Sequence, residues 1–175
     1  MMLPMIGWGM TQESFNADVK KPSYNKFVIG YDLKSAGAEK DTSLSDRNYY
    51  HDIYGTYNIT KNFYMTATLK LDDNGKAYYS GTYGVHDHAG YLRPYAEVGY
   101  DSSDDKAHYD VGASVNLTDR FSPFVEMDDF LSQSAKSIGF GATSRLWKDL
   151  YVKASYFVVD SDHANNFNIG MYYKI

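Results

Sequence analysis

From Tyr24 to Ile175 the chain alternates with a period of two, and one of the two faces this creates, followed to Met127 in the seventh strand segment and to Val158 in the ninth, carries no Asp, Glu, Lys or Arg. Successive side chains of a strand point to opposite faces, so the pattern is that of strands and not of helices. Ten segments fit it: 24–33, 48–59, 63–72, 77–86, 92–101, 107–117, 121–129, 137–147, 150–160 and 166–175. The uncharged face reads Phe63, Met65, Ala67, Leu69 and Leu71 in the third segment and Phe167, Ile169, Met171, Tyr173 and Ile175 in the last. The other face holds the charges, together with Gly30, Gly84, Gly99, Gly112, Gly139, Gly141 and Gly170. A soluble sandwich or barrel buries the uncharged face, whereas a membrane barrel turns it outward to lipid.

Strand length separates these two cases. Ten or so residues at about 3.4 Å each, tilted by about 40°, span roughly 25–28 Å, the height of a membrane barrel's apolar band. Soluble strands average nearer about 5–6 residues. The connections alternate too: Thr60-Lys61-Asn62, Thr118-Asp119-Arg120 and Lys148-Asp149 are tight, while 34–47, 72–76, 102–106, 130–136 and 161–165 are generally longer and richer in Ser, Asp, Asn and Gly. Phe63, Leu92, Phe121 and Leu150 open strands at a constant spacing of 29, and Asn58-Ile59-Thr60-Lys61-Asn62-Phe63 recurs as Asn116-Leu117-Thr118-Asp119-Arg120-Phe121. A hairpin repeat of fixed length predicts an all-β fold, a closed antiparallel up-and-down transmembrane barrel of ten strands over 24–175, with both termini on the periplasmic side.

Composition narrows the classes further. With 175 residues, 43% of them hydrophobic and 17% aromatic, the chain fits one folded domain. It has no apolar run of about 18 residues, so no transmembrane helix is expected. The absence of Cys excludes disulfides and thiolate-held metals, and no cofactor is expected. A net charge of −5 without a basic stripe gives no nucleic-acid partner. Residues 1–9, short, apolar and ending in Gly7-Trp8-Gly9, read as the remnant of a signal peptide, with a disordered or lumen-inserted N-terminal arm as the alternative; 10–23 read as a polar lead-in segment.

The last strand ends Asn168-Ile169-Gly170-Met171-Tyr172-Tyr173-Lys174-Ile175. It resembles the C-terminal assembly signal of Gram-negative outer-membrane proteins, whose roles fall on Asn168, Gly170, Tyr173 and Ile175, with Ile175 standing where that class usually ends in Phe. The resemblance implies residence in the bacterial outer membrane, with its lipids and lipopolysaccharide as surroundings. It also implies recognition during assembly by the barrel-insertion machinery, through strand addition. Leu92-Arg93-Pro94-Tyr95-Ala96-Glu97-Val98-Gly99-Tyr100 and the Tyr-rich strands are faintly similar to the oligogalacturonate-specific porins. Those have more strands and arginine-rich lumen tracks; with four Arg in this chain, specificity for acidic sugars does not carry over.

An inverted barrel places the charged face in its lumen. Counted along each strand, Asp32, Asp52, Asp101, Asp110 and Asp128 fall toward the extracellular end, with Glu97 and Glu126 deeper, and together they predict an acidic mouth. Lys26, Arg93, Arg145, Lys153 and Lys174 fall toward the periplasmic end. Tyr50, Tyr54, Tyr64, Tyr78, Tyr95, Tyr151 and Tyr172 point inward as well, to stack on sugar rings or to fill volume. The glycines leave space, which favours a narrow channel for small polar solutes, saccharides or cations among them. The alternative is a structural or surface-interaction barrel whose lumen is salt-bridged and filled, with the 34–47 loop as its recognition surface. A third alternative is a hydrolase at the rim, since His108 and Asp110 face inward beside Asp101 and Asp128, and the ten-stranded omptins use such groups there. That class is much longer, so no enzyme is expected. His86 and His88 lack further ligands, and no metal site is expected at them.

Overall fold

The structure, a computed structural model, describes residues 26–35, 48–131, 136–159 and 165–175. The suggested signal remnant, the lead-in segment and most of the 34–47 loop lie outside these residues. Ten strands follow one another: β1 Phe27–Ser35, β2 Tyr49–Asn58, β3 Phe63–Asp72, β4 Ala77–His86, β5 Leu92–Asp101, β6 Lys106–Val115, β7 Phe121–Asp128, β8 Ser137–Trp147, β9 Leu150–Val159 and β10 Asn165–Lys174. Each pairs antiparallel with its sequence neighbours, and β1 pairs with β10 through Val28–Lys174 to Lys34–Asn168, so the barrel is closed. Followed round the barrel, the registers return to β1 further along than they left it, and this stagger tilts the strands against the axis.

Burial is the reverse of a soluble protein's. Ile53, Phe63, Val98, Tyr109, Val125, Phe140, Ile169 and Met171 are among the exposed large hydrophobic side chains, and Asp32, Asp52, Lys70, Arg93, Glu97, Asp110, Glu126, Asp128, Lys153 and Lys174 are buried. The uncharged face is therefore the outer wall. In water such a surface would be an aggregation site; in hydrocarbon it is the solvent-matched one, and closure leaves no unpaired backbone edge in lipid.

The repeated sequence makes a repeated turn. Thr60 Oγ1 accepts from the backbone N–H of Asn62 (3.2 Å) and Phe63 (3.1 Å). Thr118 Oγ1 does the same with Arg120 (3.1 Å) and Phe121 (3.0 Å). A short hydroxyl side chain thus substitutes for ladder partners where the chain reverses. At the opposite end Asp72 Oδ1 accepts from Asn74 and Lys76, and Gly75 takes φ of +76°, where a side chain would be strained. We call these the turn end and the loop end of the barrel.

The fold makes a direct prediction at its outer wall. Val98, 45% exposed, lies near the middle of β5. Val98→Arg should lower folding stability in lipid vesicles by about 2–4 kcal/mol in a denaturant titration, whereas the same change should be nearly neutral on a wall facing water.

Candidate functional site

Two groupings stand out, the charged and aromatic filling of the lumen and a histidine-centred cluster at the loop end. In the filling, Asp32 of β1 accepts from Lys153 Nζ of β9 at 3.0 Å and from Asn168 Nδ2 of β10 at 3.2 Å. Gly170 faces it, and a Cβ there would sit 1.8 Å from Asp32 Oδ1. Lys34 Nζ lies 2.7 Å from Asp52 Oδ2. Tyr64 donates to Glu97, and Tyr95 donates to Glu126 at 2.9 Å. Tyr151 and Tyr172 stack with planes 1° apart, and Lys174 Nζ lies 4.3 Å from the centre of the Tyr151 ring.

Five of the seven inward glycines face a ring from the neighbouring strand, while Gly99 faces Thr82 and Gly170 faces Asp32. A Cβ on Gly30 would fall 2.1 Å from Tyr54, on Gly84 2.1 Å from Tyr64, on Gly112 2.2 Å from Tyr95, and on Gly139 2.4 Å from Phe157. Each missing side chain lets an aromatic ring lie flat against the wall. At these glycines, the space that the pattern leaves in the wall is taken up by a ring from the neighbouring strand.

All seven acidic residues read from the sequence, Asp32, Asp52, Glu97, Asp101, Asp110, Glu126 and Asp128, are buried. Arg93, Lys153 and Lys174 are buried and Arg145 is half-buried, its Nη2 3.9 Å from Asp119 in the turn. Lys26 departs from the expectation: it is exposed, and its ammonium reaches back to within 5.9 Å of the ring centre of the outward-facing Tyr57. It precedes the first strand residue, where the alternation no longer directs it. Acid and base are not fully separated along the axis. Lys153 reaches Asp32, Lys34 pairs with Asp52, and the buried Lys70 interacts with Asp52, Asp101 and Asp104. Stagger is the reason, since position along one's own strand does not give depth in a tilted barrel. Of the tyrosines, Tyr54, Tyr64, Tyr95, Tyr151 and Tyr172 are buried, and Tyr50 and Tyr78 are half-buried, with Lys70 4.4 Å and Lys76 4.8 Å from their ring centres. Within β10, Asn168 and Gly170 face Asp32; Tyr173 and, just past the strand, Ile175 are exposed at 44% and 63%.

The loop-end cluster is arranged otherwise than the alternation suggests. His108 Nδ1 donates to Asp129, 2.8 Å from Oδ1 and 3.0 Å from Oδ2, and its Nε2 lies 3.3 Å from Asp104 Oδ1. Asp110 and Asp128 are engaged elsewhere: Asp110 Oδ1 accepts the backbone N–H of Asp129 at 2.9 Å, and Asp128 Oδ2 accepts from Ser137 at 3.2 Å. Asp129 should point to lipid by phase. Instead it takes φ of +51°, a left-handed turn just beyond β7 that swings its carboxylate inward, and Asp110 accepts its amide in place of a ladder partner. The legible signal was a charged residue in the uncharged phase, which marks where alternation ends.

A closed, even-stranded barrel with an uncharged outer wall and a charged interior is a transmembrane β-barrel of the kind found in the bacterial outer membrane. No protein-family model and no curated protein matches the chain, so the faint likeness to oligogalacturonate-specific porins gains no support there. Among solved structures, a de novo designed transmembrane β-barrel is 13% identical with a TM-score of 0.46, covering 86% of this chain and 96% of its own. The N-terminal barrel domain of Pseudomonas aeruginosa OprF is 13% identical (TM-score 0.39; 86% and 98% covered). The Yersinia pestis attachment invasion locus protein Ail, solved with the heparin analogue sucrose octasulfate, is 11% identical (TM-score 0.41; 85% and 96% covered). The assignment of fold rests on the closure and inverted burial of this chain itself.

Two outcomes follow from the filling. Gly84→Ala should cost about 1–3 kcal/mol by overpacking against Tyr64, and Tyr64→Leu in the same chain should recover much of the loss in a double-mutant cycle. Lys153→Met should cost about 3–5 kcal/mol by leaving Asp32 charged and buried, and adding Asp32→Asn should restore most of it.

Proposed function

We propose that the protein is a closed, non-conducting barrel that holds its loop end as a working surface on a rigid membrane-spanning body. The observation that carries this reading is the seating of Tyr54, Tyr64, Tyr95 and Phe157 over inward glycines, which fills a narrow lumen from its wall. Oppositely charged partners such as Lys153 and Asp32 occupy what remains, and they neutralise one another instead of attracting an ion in transit. Lipid and lipopolysaccharide meet the uncharged wall in this reading. The insertion machinery recognises β10, whose Asn168 and Gly170 then receive Asp32 as β1 closes the barrel.

Planar-bilayer recording of the purified protein separates this from a narrow channel for small polar solutes. The unmodified protein should show no sustained conductance, and the triple change Tyr54→Ala, Tyr64→Ala, Tyr95→Ala should introduce conductance by removing the rings. Steady opening of the unmodified protein would establish the channel and overturn the closed barrel.

A further inference from the structure

The loop-end cluster contains a carboxylate with unused capacity. Asp101, at the end of β5, is fully buried at 0% exposure; its Oδ1 accepts the Ser103 amide at 2.7 Å, and its Oδ2 has no hydrogen-bond partner. One ligand atom each from Asp101, Asp104 and His108 lies within 4.8 Å of the other two. A buried carboxylate oxygen without a donor is costly unless a cation or a proton meets it.

His108 faces the same place with the geometry of a metal ligand. Its Nδ1–H is held by the Asp129 carboxylate, and its Nε2, which offers a lone pair to a metal once that nitrogen gives up any proton, lies 3.3 Å from Asp104 Oδ1. A carboxylate holding the far nitrogen of an imidazole is the arrangement that orients histidine ligands and makes them more basic. Without a cation or a proton between them, Nε2 and Asp104 Oδ1 would oppose two lone pairs.

We propose that Asp101, Asp104 and His108 form a binding site for a divalent first-row transition-metal ion, with Asp129 as the positioning residue for His108. One imidazole nitrogen with two carboxylates suits zinc or manganese better than calcium or magnesium, which prefer all-oxygen shells. The charge balance agrees. Lys70 interacts first with Asp52 and then with Asp101 and Asp104, so it offsets the carboxylates of Asp101, Asp104 and Asp129 only in part and leaves a net negative site for a dication. Asp104 is 21% exposed and gives an entry path from the loop end, while Asp101 and His108 form the buried floor. Water fills the remaining coordination positions. The site does not depend on whether the lumen conducts, because its ligands sit at the loop end.

The test is calorimetric titration of Zn2+ into the refolded full chain in detergent, with imidazole nitrogen NMR as a second readout. One saturable equivalent is expected, with the His108 Nε2 resonance shifted. Asp104→Asn, a change at a partly exposed position, should weaken binding at least tenfold, and Asp129→Asn should weaken it by 10- to 100-fold through loss of imidazole orientation. His88→Ala should leave affinity unchanged. Absence of saturable binding, full affinity in Asp104→Asn, or a resonance shift confined to the other four histidines, His51, His86, His88 and His163, would overturn the proposal.

Discussion

A single carboxylate in the lumen ties the two ends of the described barrel together. Asp32 belongs to β1, yet its charge is met by Lys153 of β9 and Asn168 of β10, and it fits only because Gly170 has no side chain. Closure across β1 and β10 removes the last unpaired edge, which hydrocarbon would not tolerate. Backbone pairing supplies the closure, and Asp32 supplies its register: a slip by one residue would turn the carboxylate to lipid and Tyr31 into the lumen. The uncharged outer wall depends on the same register in every strand.

The filling obeys a rule that links glycine to aromatic residues. An inward glycine leaves a shallow recess, and the ring from the adjacent strand lies in it, as Tyr54 does at Gly30 and Tyr64 at Gly84. The ring's apolar face covers backbone, and its hydroxyl remains free to reach a buried carboxylate, as Tyr64 does to Glu97 and Tyr95 to Glu126. Tyr64 and Tyr95 therefore close space and satisfy charge at once, while Tyr79, Tyr83 and Tyr173 are among the tyrosines on the outer wall. The buried ion pairs are specific because each partner is costly alone.

Much of this is legible in the sequence. The openings at Phe63, Leu92, Phe121 and Leu150 are the first residues of β3, β5, β7 and β9, because a 29-residue spacing fixes each hairpin's length. Misjudged features lie where period-two reasoning lapses. The first segment runs to Ser35 instead of ending at Leu33, so Lys34 belongs to the wall and reaches Asp52. Lys26 falls before the strand and Asp129 after one, and each turns away from its nominal face. Glycine next to polar positions reads equally as open space or as a seat for a ring. Only the pairing register, which no single strand contains, decides between them.

The central claim, that the uncharged face meets lipid and the charged face lines the lumen, can be measured strand by strand. Since the chain has no cysteine, single cysteines can be placed at Ser80, Gly81, Thr82 and Tyr83 of β4 and labelled with a fluorophore in vesicles. Quenchers attached to lipid tails should act strongly on Gly81→Cys and Tyr83→Cys and weakly on Ser80→Cys and Thr82→Cys. The opposite phase, or equal quenching at all four positions, would contradict the inverted barrel.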